Sequence, residues 1–532
     1  GAQVKKRLCA ALLICAAALW SGCGGKKTDL HSQKADKSSV YPMKTKTHLT
    51  IYCSIDDAIA AQTEDINTSP FKLALEKQTG IAFKYVFMPR GQEKSGLELM
   101  IASNNMTDIV EYGFFKNGPA KAVQDGIIER LDTYIERFSP NLNKYLDSSP
   151  EIRKMITTSE GNYYYYPFIR GDSKLTVYRG GMIRKDVLDS AGVAVPETIE
   201  EWETALAALK NAGFEAPLTM ELGDSKHDRT SAFVGAFGVA GTYFVEDGTV
   251  KFGPYEKEYG DYLRLLAKWY RNGWLDNDFR NHKQERIFNM VLNNQIGAMF
   301  GTGGGELGVL TTALKRVNPK AELVPVKYPV MKKGERPKFG HREGKIGQTG
   351  YSITTDCIDK ETAARFLDFA YGEQGHMLYN FGVEGESYEW KNGYPTYTPK
   401  IMDYEQNGHL SVQEAMSRYM RAYTPDAYVQ DKRYIEQYYQ LPEQKQALKL
   451  WMDTDAQKYR FPDVSYTAEE YEELTEIDDA VQTYMFEMVY KFVSGQEALE
   501  NLDKYFNRLG QLGIERAIAI RQRAYERYQN QK

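Results

Sequence analysis

Cysteine, basic charge and long apolar runs are all scarce in this sequence. Its 532 residues include five cysteines, of which only Cys53 and Cys357 lie beyond residue 23. With no C-x-x-C pair and no cysteine–histidine spacing, the chain offers no zinc-type ligand set, and we expect neither a metal nor a cofactor. The two remaining cysteines fit either small buried apolar residues or a single disulfide.

The shortage of basic charge excludes one class of partner. The formal net charge is −5, and no cluster of lysine and arginine marks one face of a predicted element. Nucleic-acid binding depends on such clusters, so no nucleic-acid partner is expected. The acidic stretch 469–479 (EEYEELTEIDD) is interpreted as a solvated helix face.

The one long apolar run lies at the N-terminus. Residues 5–7 (Lys-Lys-Arg) precede Leu8–Trp20, which is too short to span about 30 Å of hydrocarbon but suits a secretion signal. The small residues before Cys23 resemble a bacterial lipobox. We therefore expect residues 1–22 to be a signal peptide, Cys23 to be lipidated, and residues 23–48 to form a polar, flexible tether. Because Trp20 replaces the usual aliphatic residue, an unlipidated secretion signal is the alternative.

Nucleotide and hydrolase signatures are missing too. There is no G-x-S-x-G, no H-E-x-x-H and no G-x-x-x-x-G-K-[ST]. Residues 297–308 (GAMFGTGGGELG) do contain the G-x-G-x-x-G spacing between a predicted strand and a predicted helix. A dinucleotide site also needs an acidic residue at the end of the next strand. That strand, 321–329, ends near Lys327 instead, so the sequence does not predict a nucleotide site.

Alternating strand-like and helix-like segments are what the chain does have, and they indicate an α/β fold. Thr198 and Glu201 form a capping box that begins the helix predicted over 198–213. The last third, from Ser411, is predicted to be mostly helical. Tyrosine is abundant, with 38 residues against 23 phenylalanines; its flat ring and hydroxyl suit either a binding surface or the margin of a core. The other predicted elements include strands at 49–55, 81–88 and 108–112, helices at 69–80, 96–105 and 258–275, and a hairpin at 245–253.

Four stretches together resemble a known family. The first is 107–142, which begins TDIVEYGFF, and the second is 165–202. The third combines the glycine-rich residues 297–308 with 350–397, which contains GVEGESYEW, and the fourth is 478–513. These resemble the extracellular solute-binding lipoproteins of carbohydrate ABC importers, which include the maltose-binding proteins, and most of all the long oligosaccharide-binding lipoproteins of Gram-positive bacteria.

The resemblance implies a periplasmic-binding-protein-like fold, in which two α/β lobes joined by hinge strands close on a sugar. Lobe 1 would comprise 49–168 plus about 348–440, and lobe 2 about 172–345 plus 470–532, with an extended helical C-terminal region. The protein would be a monomer on the extracellular face of the cell membrane, anchored only by lipid, and would deliver an oligosaccharide to ABC permease subunits.

The resemblance also directs attention to loops after strands, where a sugar needs aromatic platforms and convergent polar groups. The glycine loop 301–305 is expected to face the cleft and let the backbone approach the sugar. Several alternatives remain open: Arg170 and Asp172 either face the ligand or only pair with each other, and at least one of Phe114 and Phe115 is expected to be buried. Trp390 is either a platform or a hairpin staple. The candidate ligand-binding residues are Glu111, Tyr112, Phe114, Tyr165, Arg170, Asp172, Glu221, Asp224, Arg229, Trp274, Thr302, Tyr388 and Trp390.

A glycoside hydrolase is the alternative from another class, and a surface sugar sensor or adhesin is a third. A hydrolase needs two carboxyl groups about 5–10 Å apart. Asp108 or Glu111 against Glu221 or Asp224 supplies such a pair, but from two hinged lobes, which support a fixed catalytic geometry poorly. We therefore expect binding without catalysis.

Overall fold

The computed structural model describes residues 41–62, 65–223 and 228–531. The predicted signal peptide, Cys23 and the tether up to residue 40 lie outside these residues, as does Asp224. No helix within the described residues is long and apolar enough to cross a membrane.

The described residues contain fourteen strands. In chain order they are β1 (His48–Tyr52), β2 (Ala82–Val86), β3 (Ile109–Glu111), β4 (Tyr166–Arg170), β5 (Arg179–Arg184), β6 (Ala216–Thr219), β7 (Tyr243–Glu246), β8 (Thr249–Phe252), β9 (Ile296–Thr302), β10 (Leu323–Val326), β11 (Ile346–Ile353), β12 (Tyr388–Lys391), β13 (Tyr394–Tyr397) and β14 (Val429–Gln430).

Two separate sheets define two lobes. The first has the order β14-β4-β11-β3-β1-β2, with β1 parallel to β2 and β3, and β11 antiparallel to β3 and β4. The second has the order β10-β5-β9-β6, with β5 antiparallel to β9 and β10, and β6 parallel to β9. Strands β7 and β8 form the predicted hairpin, and β12 and β13 form another.

Helices cover both sheets and make up most of the C-terminal region. They span Asp57–Ala60, Pro70–Thr79, Glu93–Ala102, Gly118–Gln124, Asp132–Phe138, Pro140–Ser148, Pro150–Ile156, Lys185–Ser190, Ile199–Asn211, Lys257–Arg271, Gln284–Leu292, Val309–Val317, Lys360–Asp368, Glu373–Phe381, Pro399–Met402, Val412–Tyr419, Lys432–Tyr438, Pro442–Met452, Ala456–Tyr459, Ala468–Ser494, Leu502–Gln511 and Ile514–Asn530.

Local sequence signals explain where helices begin and end. The Thr198 hydroxyl accepts from the Glu201 amide and the Glu201 carboxylate accepts in return, so the predicted capping box is present. Ser69 caps Pro70–Thr79, and Gly80 ends that helix with a φ of 73°, a left-handed conformation that favours glycine.

Each lobe has its own hydrophobic core. One core joins buried residues between 49 and 169 to residues between 346 and 379, around the first sheet. The other joins residues between 177 and 339 to residues between 447 and 520, so the C-terminal helices belong to the second sheet's lobe. Both Cys53 and Cys357 are buried free thiols of the first core, which favours the apolar interpretation over a disulfide.

The segment before β1 is packed, although the flexible tether was expected to reach residue 48. The Tyr41 ring meets Phe369 edge-on with centroids 5.0 Å apart, and the Tyr41 hydroxyl donates to the Arg365 carbonyl. The Met43 amide donates to the Thr79 carbonyl at 2.7 Å. Tyr41 and Met43 have large apolar side chains that can pack on the core. The composition of the segment as a whole is polar, so it did not predict this packing.

Three connections run between the lobes: β4 to β5, β10 to β11, and β14 onward into helix Pro442–Met452. The last ends on the second sheet, because Trp451 is fully buried against Gly180 of β5. A Cβ at Gly180 would lie 2.3 Å from the Trp451 ring, so only glycine allows this contact.

Replacing Trp451 with alanine is expected to cost about 3–5 kcal/mol of unfolding free energy, because the residue is buried and a cavity would remain. Trp390, which is 47 % exposed, is the matched control, and Trp390→Ala should cost under about 1 kcal/mol. Chemical unfolding of both variants checks this. Equal losses would contradict the packing of the third connection on lobe 2.

Candidate ligand-binding site

A cavity of about 590 Å³ lies between the two lobes. Lobe 1 contributes the end of β3 and the residues before β4, and lobe 2 contributes residues around β7. The remaining walls come from the second connection, 339–348, and from residues 456–466 with Tyr471. A ligand in this cavity would touch both lobes at once.

Aromatic rings dominate the lobe 1 wall. The turn Tyr112–Phe114 follows β3 and places Tyr112 against Tyr165, with centroids 4.3 Å apart, and edge-on to Tyr164 at 5.6 Å. Eleven of the described residues that line the cavity are Phe or Tyr. They are Tyr112, Phe115, Tyr164, Tyr165, Tyr243, Phe244, Phe339, Tyr459, Phe461, Tyr466 and Tyr471.

The lobe 2 wall combines rings with charge. The Arg521 guanidinium lies 3.9 Å from the Tyr243 ring centroid, a cation–π contact. The Tyr243 hydroxyl is buried and has no hydrogen-bond partner among the described residues. A ligand hydroxyl in the cavity would remove the cost of that unmet hydrogen bond.

One carboxylate joins the first two connections. Glu343 accepts from the Tyr178 hydroxyl at 3.0 Å and from the Arg229 guanidinium. The Tyr178 amide donates to His341 Nδ1 at 3.2 Å, so the His341 proton is on Nε2, which donates to Glu343 at 3.1 Å. Tyr178 belongs to the first connection and Glu343 to the second, while Arg229 comes from the loop after β6.

The pKa values agree with this arrangement. Burial lowers the pKa of His341 to about 4, so the ring is neutral at physiological pH. Burial alone would raise the pKa of Glu343, but hydrogen bonding to His341 and the nearby Arg229 hold it well below its usual range. Glu343 therefore keeps its negative charge.

The structure brings three of the predicted residues to this cavity: Tyr112, Tyr165 and Arg229. Their role in binding a ligand stays a prediction. Asp224 is outside the described residues, and the other nine do not line the cavity as the described residues define it.

Glu111 and Phe114 lie beside Tyr112 in sequence but turn away. Glu111 is buried and accepts from the Ser54 amide at 2.9 Å and the Ser54 hydroxyl at 3.0 Å. Phe114 packs edge-on against Tyr52, and Phe115 is buried at the cavity wall. Glu111 is the last residue of β3, whereas Tyr112 and Phe114 belong to the turn that follows it. The side chains of this turn leave the chain in different directions, and of the three only Tyr112 lines the cavity.

Arg170 and Asp172 do not depend on each other. Arg170 is buried and donates to the Gly344 carbonyl at 2.8 Å, which fixes the second connection to the first. Asp172 accepts from the Lys174 amide at 2.9 Å and lies 3.6 Å from the Lys432 ammonium. Both residues are structural parts of the connections.

Two glycines of the loop that was expected to face the cleft are covered by the third connection. A Cβ at Gly303 would lie 2.4 Å from the Tyr439 hydroxyl, and one at Gly304 would lie 2.3 Å from the Tyr438 ring. The Gly303 carbonyl accepts from Gln444 at 2.9 Å. Gly301 lines a small crevice together with Arg229, and a contact between the loop and a sugar stays a prediction.

The remaining candidates lie elsewhere. The Thr302 amide donates to Glu306 at 3.1 Å beside the glycine loop. Glu221 is exposed beside a crevice of about 20 Å³. Trp274 packs at the edge of the lobe 2 core. Tyr388 is buried in the β12–β13 hairpin. The Trp390 ring packs edge-on against the Tyr388 ring, with centroids 6.1 Å apart, which agrees with a role in holding the hairpin together.

Sequence reasoning missed two segments of the cavity wall. Residues 456–466 (AQKYRFPDVSY) contribute Arg460 and Asp463, and residues 339–348 (FGHREGKIGQ) contribute Arg342. Both runs mix aromatic or glycine residues with charge and lack helical or strand periodicity. An irregular segment of this composition is typical of a functional loop. Its position just before the capping box of Thr467 or at the start of β11 was the signal that the sequence offered.

Two α/β lobes around a cavity, joined by three connections, define the class of two-lobe ligand-binding proteins. The chain matches the family described as bacterial extracellular solute-binding protein over residues 59–377. It belongs to that family, as the resemblance implied.

Known proteins support the same fold over nearly the whole chain. The fructooligosaccharide ABC transporter substrate-binding protein FusA of Streptococcus pneumoniae is 22 % identical, over 98 % of each chain. The polygalacturonan/rhamnogalacturonan-binding protein YtcQ of Bacillus subtilis is 26 % identical, over 61 % of this chain and 64 % of its own. The crystal structure of alginate-binding protein AlgQ2 without calcium ion superposes with a TM-score of 0.73 at 22 % identity, covering 90 % of this chain and 98 % of that one.

The burial of the Glu111 carboxyl group beside Ser54 can be tested by its effect on stability at different pH values. Burial raises its pKa from 4.5 to about 7, so the wild type loses stability as the pH rises from about 4.5 through 7. Glu111→Gln cannot ionise and still accepts from Ser54. It should be the more stable protein at pH 8, by up to about 3 kcal/mol, with little difference at pH 4.

Melting temperatures of both proteins across that range check the expectation. Glu469→Gln, at an exposed position of helix Ala468–Ser494, is the matched control and should shift melting equally at all pH values. A pH-independent effect of Glu111→Gln would show that the carboxyl is not buried as described.

Proposed function

We propose that this protein captures an oligosaccharide outside the cell and delivers it to the permease subunits of an ABC importer. It binds the sugar in the cavity between the lobes and breaks no bond. A lipid on Cys23 holds it, as a monomer, at the extracellular face of the membrane.

The aromatic cavity wall is the observation that carries this proposal. The C–H faces of sugar rings pack on aromatic rings, and their hydroxyls need hydrogen-bond partners when buried. The cavity offers both, since half-buried rings such as Tyr112 and Tyr471 lie near the guanidinium groups of Arg229 and Arg460. Its volume falls in the range typical of small-molecule sites.

The relatives give independent support for import. FusA is named as a substrate-binding protein of an ABC transporter for fructooligosaccharides, and YtcQ as a polygalacturonan/rhamnogalacturonan-binding protein. The two names give different carbohydrates, so they support an oligosaccharide ligand without choosing its type.

The carboxyl groups of the cavity suit binding better than hydrolysis. A hydrolase needs one carboxyl group that gives up a proton. Glu343 is ionised and already accepts from Tyr178, His341 and Arg229, so it is a poor acid. The other two carboxyl groups among the described lining residues are Asp463, which accepts from Arg460 at 2.8 Å, and Asp228. Burial raises the pKa of Asp228 to about 6, so it is the candidate acid that analysis of the recovered sugar must test.

Tyr112→Ala is expected to weaken oligosaccharide binding about tenfold or more, because it removes a ring from the lobe 1 wall. Isothermal titration of the unlipidated chain after Cys23 against neutral and acidic oligosaccharides measures this, with analysis of the recovered sugar. Trp390→Ala, whose ring lies away from the cavity, should bind like the wild type.

A sugar recovered cleaved would make the protein a hydrolase. An absence of binding across the whole panel would overturn the carbohydrate assignment itself.

A further inference from the structure

The arrangement of charge in the cavity points to an acidic ligand. Resting on the proposed function, we infer that Arg342 and Arg460 form an anion subsite that binds the charged group of an acidic sugar unit.

The pairing of the charged side chains in the cavity wall leaves one guanidinium group without a carboxylate. The charged side chains among the described lining residues are four arginines, Arg229, Arg342, Arg460 and Arg521, and three carboxyl groups, Asp228, Glu343 and Asp463. The same part of the lining holds no lysine, and its one histidine, His341, is neutral. The partner of each arginine therefore decides which positive charge a ligand meets.

Three of the arginines have carboxylate partners. Arg229 pairs with Glu343. Arg460 pairs with Asp463 at 2.8 Å. The third is Arg521, whose partner is Asp478, at 2.7 Å, outside the lining.

Arg342 is different. Its Nε donates to the neutral Gln457 amide oxygen at 3.0 Å, and no carboxylate among the described residues forms an ion pair with it. The third carboxyl group, Asp228, accepts from the Ser231 amide at 2.9 Å. Burial raises the pKa of Asp228 to about 6, so this carboxyl group is still mostly ionised at pH 7, but it forms no ion pair with Arg342. The positive charge of Arg342 is therefore available to a ligand.

A second guanidinium lies beside it. The Arg460 Nε donates to the Arg342 carbonyl at 3.1 Å, which holds the two residues together at the cavity wall. Burial and the charge of Arg460 lower the pKa of Arg342. Asp463 balances the charge of Arg460, whereas Arg342 has no carboxylate partner among the described residues. A ligand carboxylate or sulfate would supply that partner, because guanidinium groups bind such anions through paired hydrogen bonds.

The two sources of such an anion are a uronate carboxylate and a sulfate ester, which share this chemistry. Oligogalacturonate and oligomannuronate would be titrated against the unlipidated chain, each beside its carboxyl-reduced, neutral counterpart of equal length. A sulfated oligosaccharide forms the third arm. We expect at least one anionic probe to bind about tenfold or more tighter than its neutral counterpart, with the difference shrinking at high salt.

Arg342→Gln should bring the affinities of the anionic and neutral probes together, because it should weaken anionic binding far more than neutral binding. Arg342→Lys keeps the charge and should retain part of the preference. The matched control is Arg336→Gln, since Arg336 belongs to the same connection but pairs with Asp453 and Asp455. It should leave the preference intact.

The outcomes separate this inference from the proposed function. Neutral probes that bind as well as or better than every anionic probe would overturn the anion subsite and leave oligosaccharide capture standing. So would an Arg342→Gln variant that loses neutral and anionic binding equally. Failure of all probes would overturn both.

Discussion

The carboxylate of Glu343 ties the first two connections between the lobes to each other and to a loop of lobe 2. It accepts hydrogen bonds from Tyr178 on the first connection and from His341 on its own, and it pairs with Arg229 from lobe 2. Because His341 is neutral, the carboxylate keeps a single negative charge that Arg229 balances. Arg170 adds a second tie between the same two connections through the Gly344 carbonyl. The connections therefore meet the cavity in a fixed arrangement, and the relative position of the lobes sets the width of the space between them.

Around this coupled centre the cavity wall is built from pieces that lie far apart in the chain. The end of β3 supplies Tyr112, the second connection supplies Arg342, and the segment that follows the third connection supplies Arg460 and Tyr471. A ligand that bridges these groups favours the arrangement in which they face one another, and its binding energy goes into closing the lobes. No reacting group is needed for such capture, which is consistent with a cavity whose clearest feature is its aromatic and guanidinium surface.

The sequence predicted local structure well because local signals determine it. The capping box of Thr198 and Glu201 and the alternating segments gave the α/β elements, and the family resemblance supplied the two lobes. Tyr112 and Tyr165 line the cavity because they follow β3 and precede β4, and Arg229 reaches it from the loop after β6, while their role in binding stays a prediction. The covering of Gly303 and Gly304 has a non-local cause, because Tyr438, Tyr439 and Gln444 reach them from more than a hundred residues away. Arg342 and Arg460 were missed because nothing in the sequence near either residue shows that the second connection and the segment after the third lie side by side.

Hydrogen–deuterium exchange with and without a bound oligosaccharide tests the central claim most directly, since it reports where the chain becomes protected. The account predicts slower exchange in three places when the sugar binds: the turn after β3, the second connection at 339–348 and the segment 456–471. The β12–β13 hairpin, which lies away from the cavity, should exchange as before. Protection confined to that hairpin or to the glycine loop, with the three cavity segments unchanged, would contradict binding between the lobes.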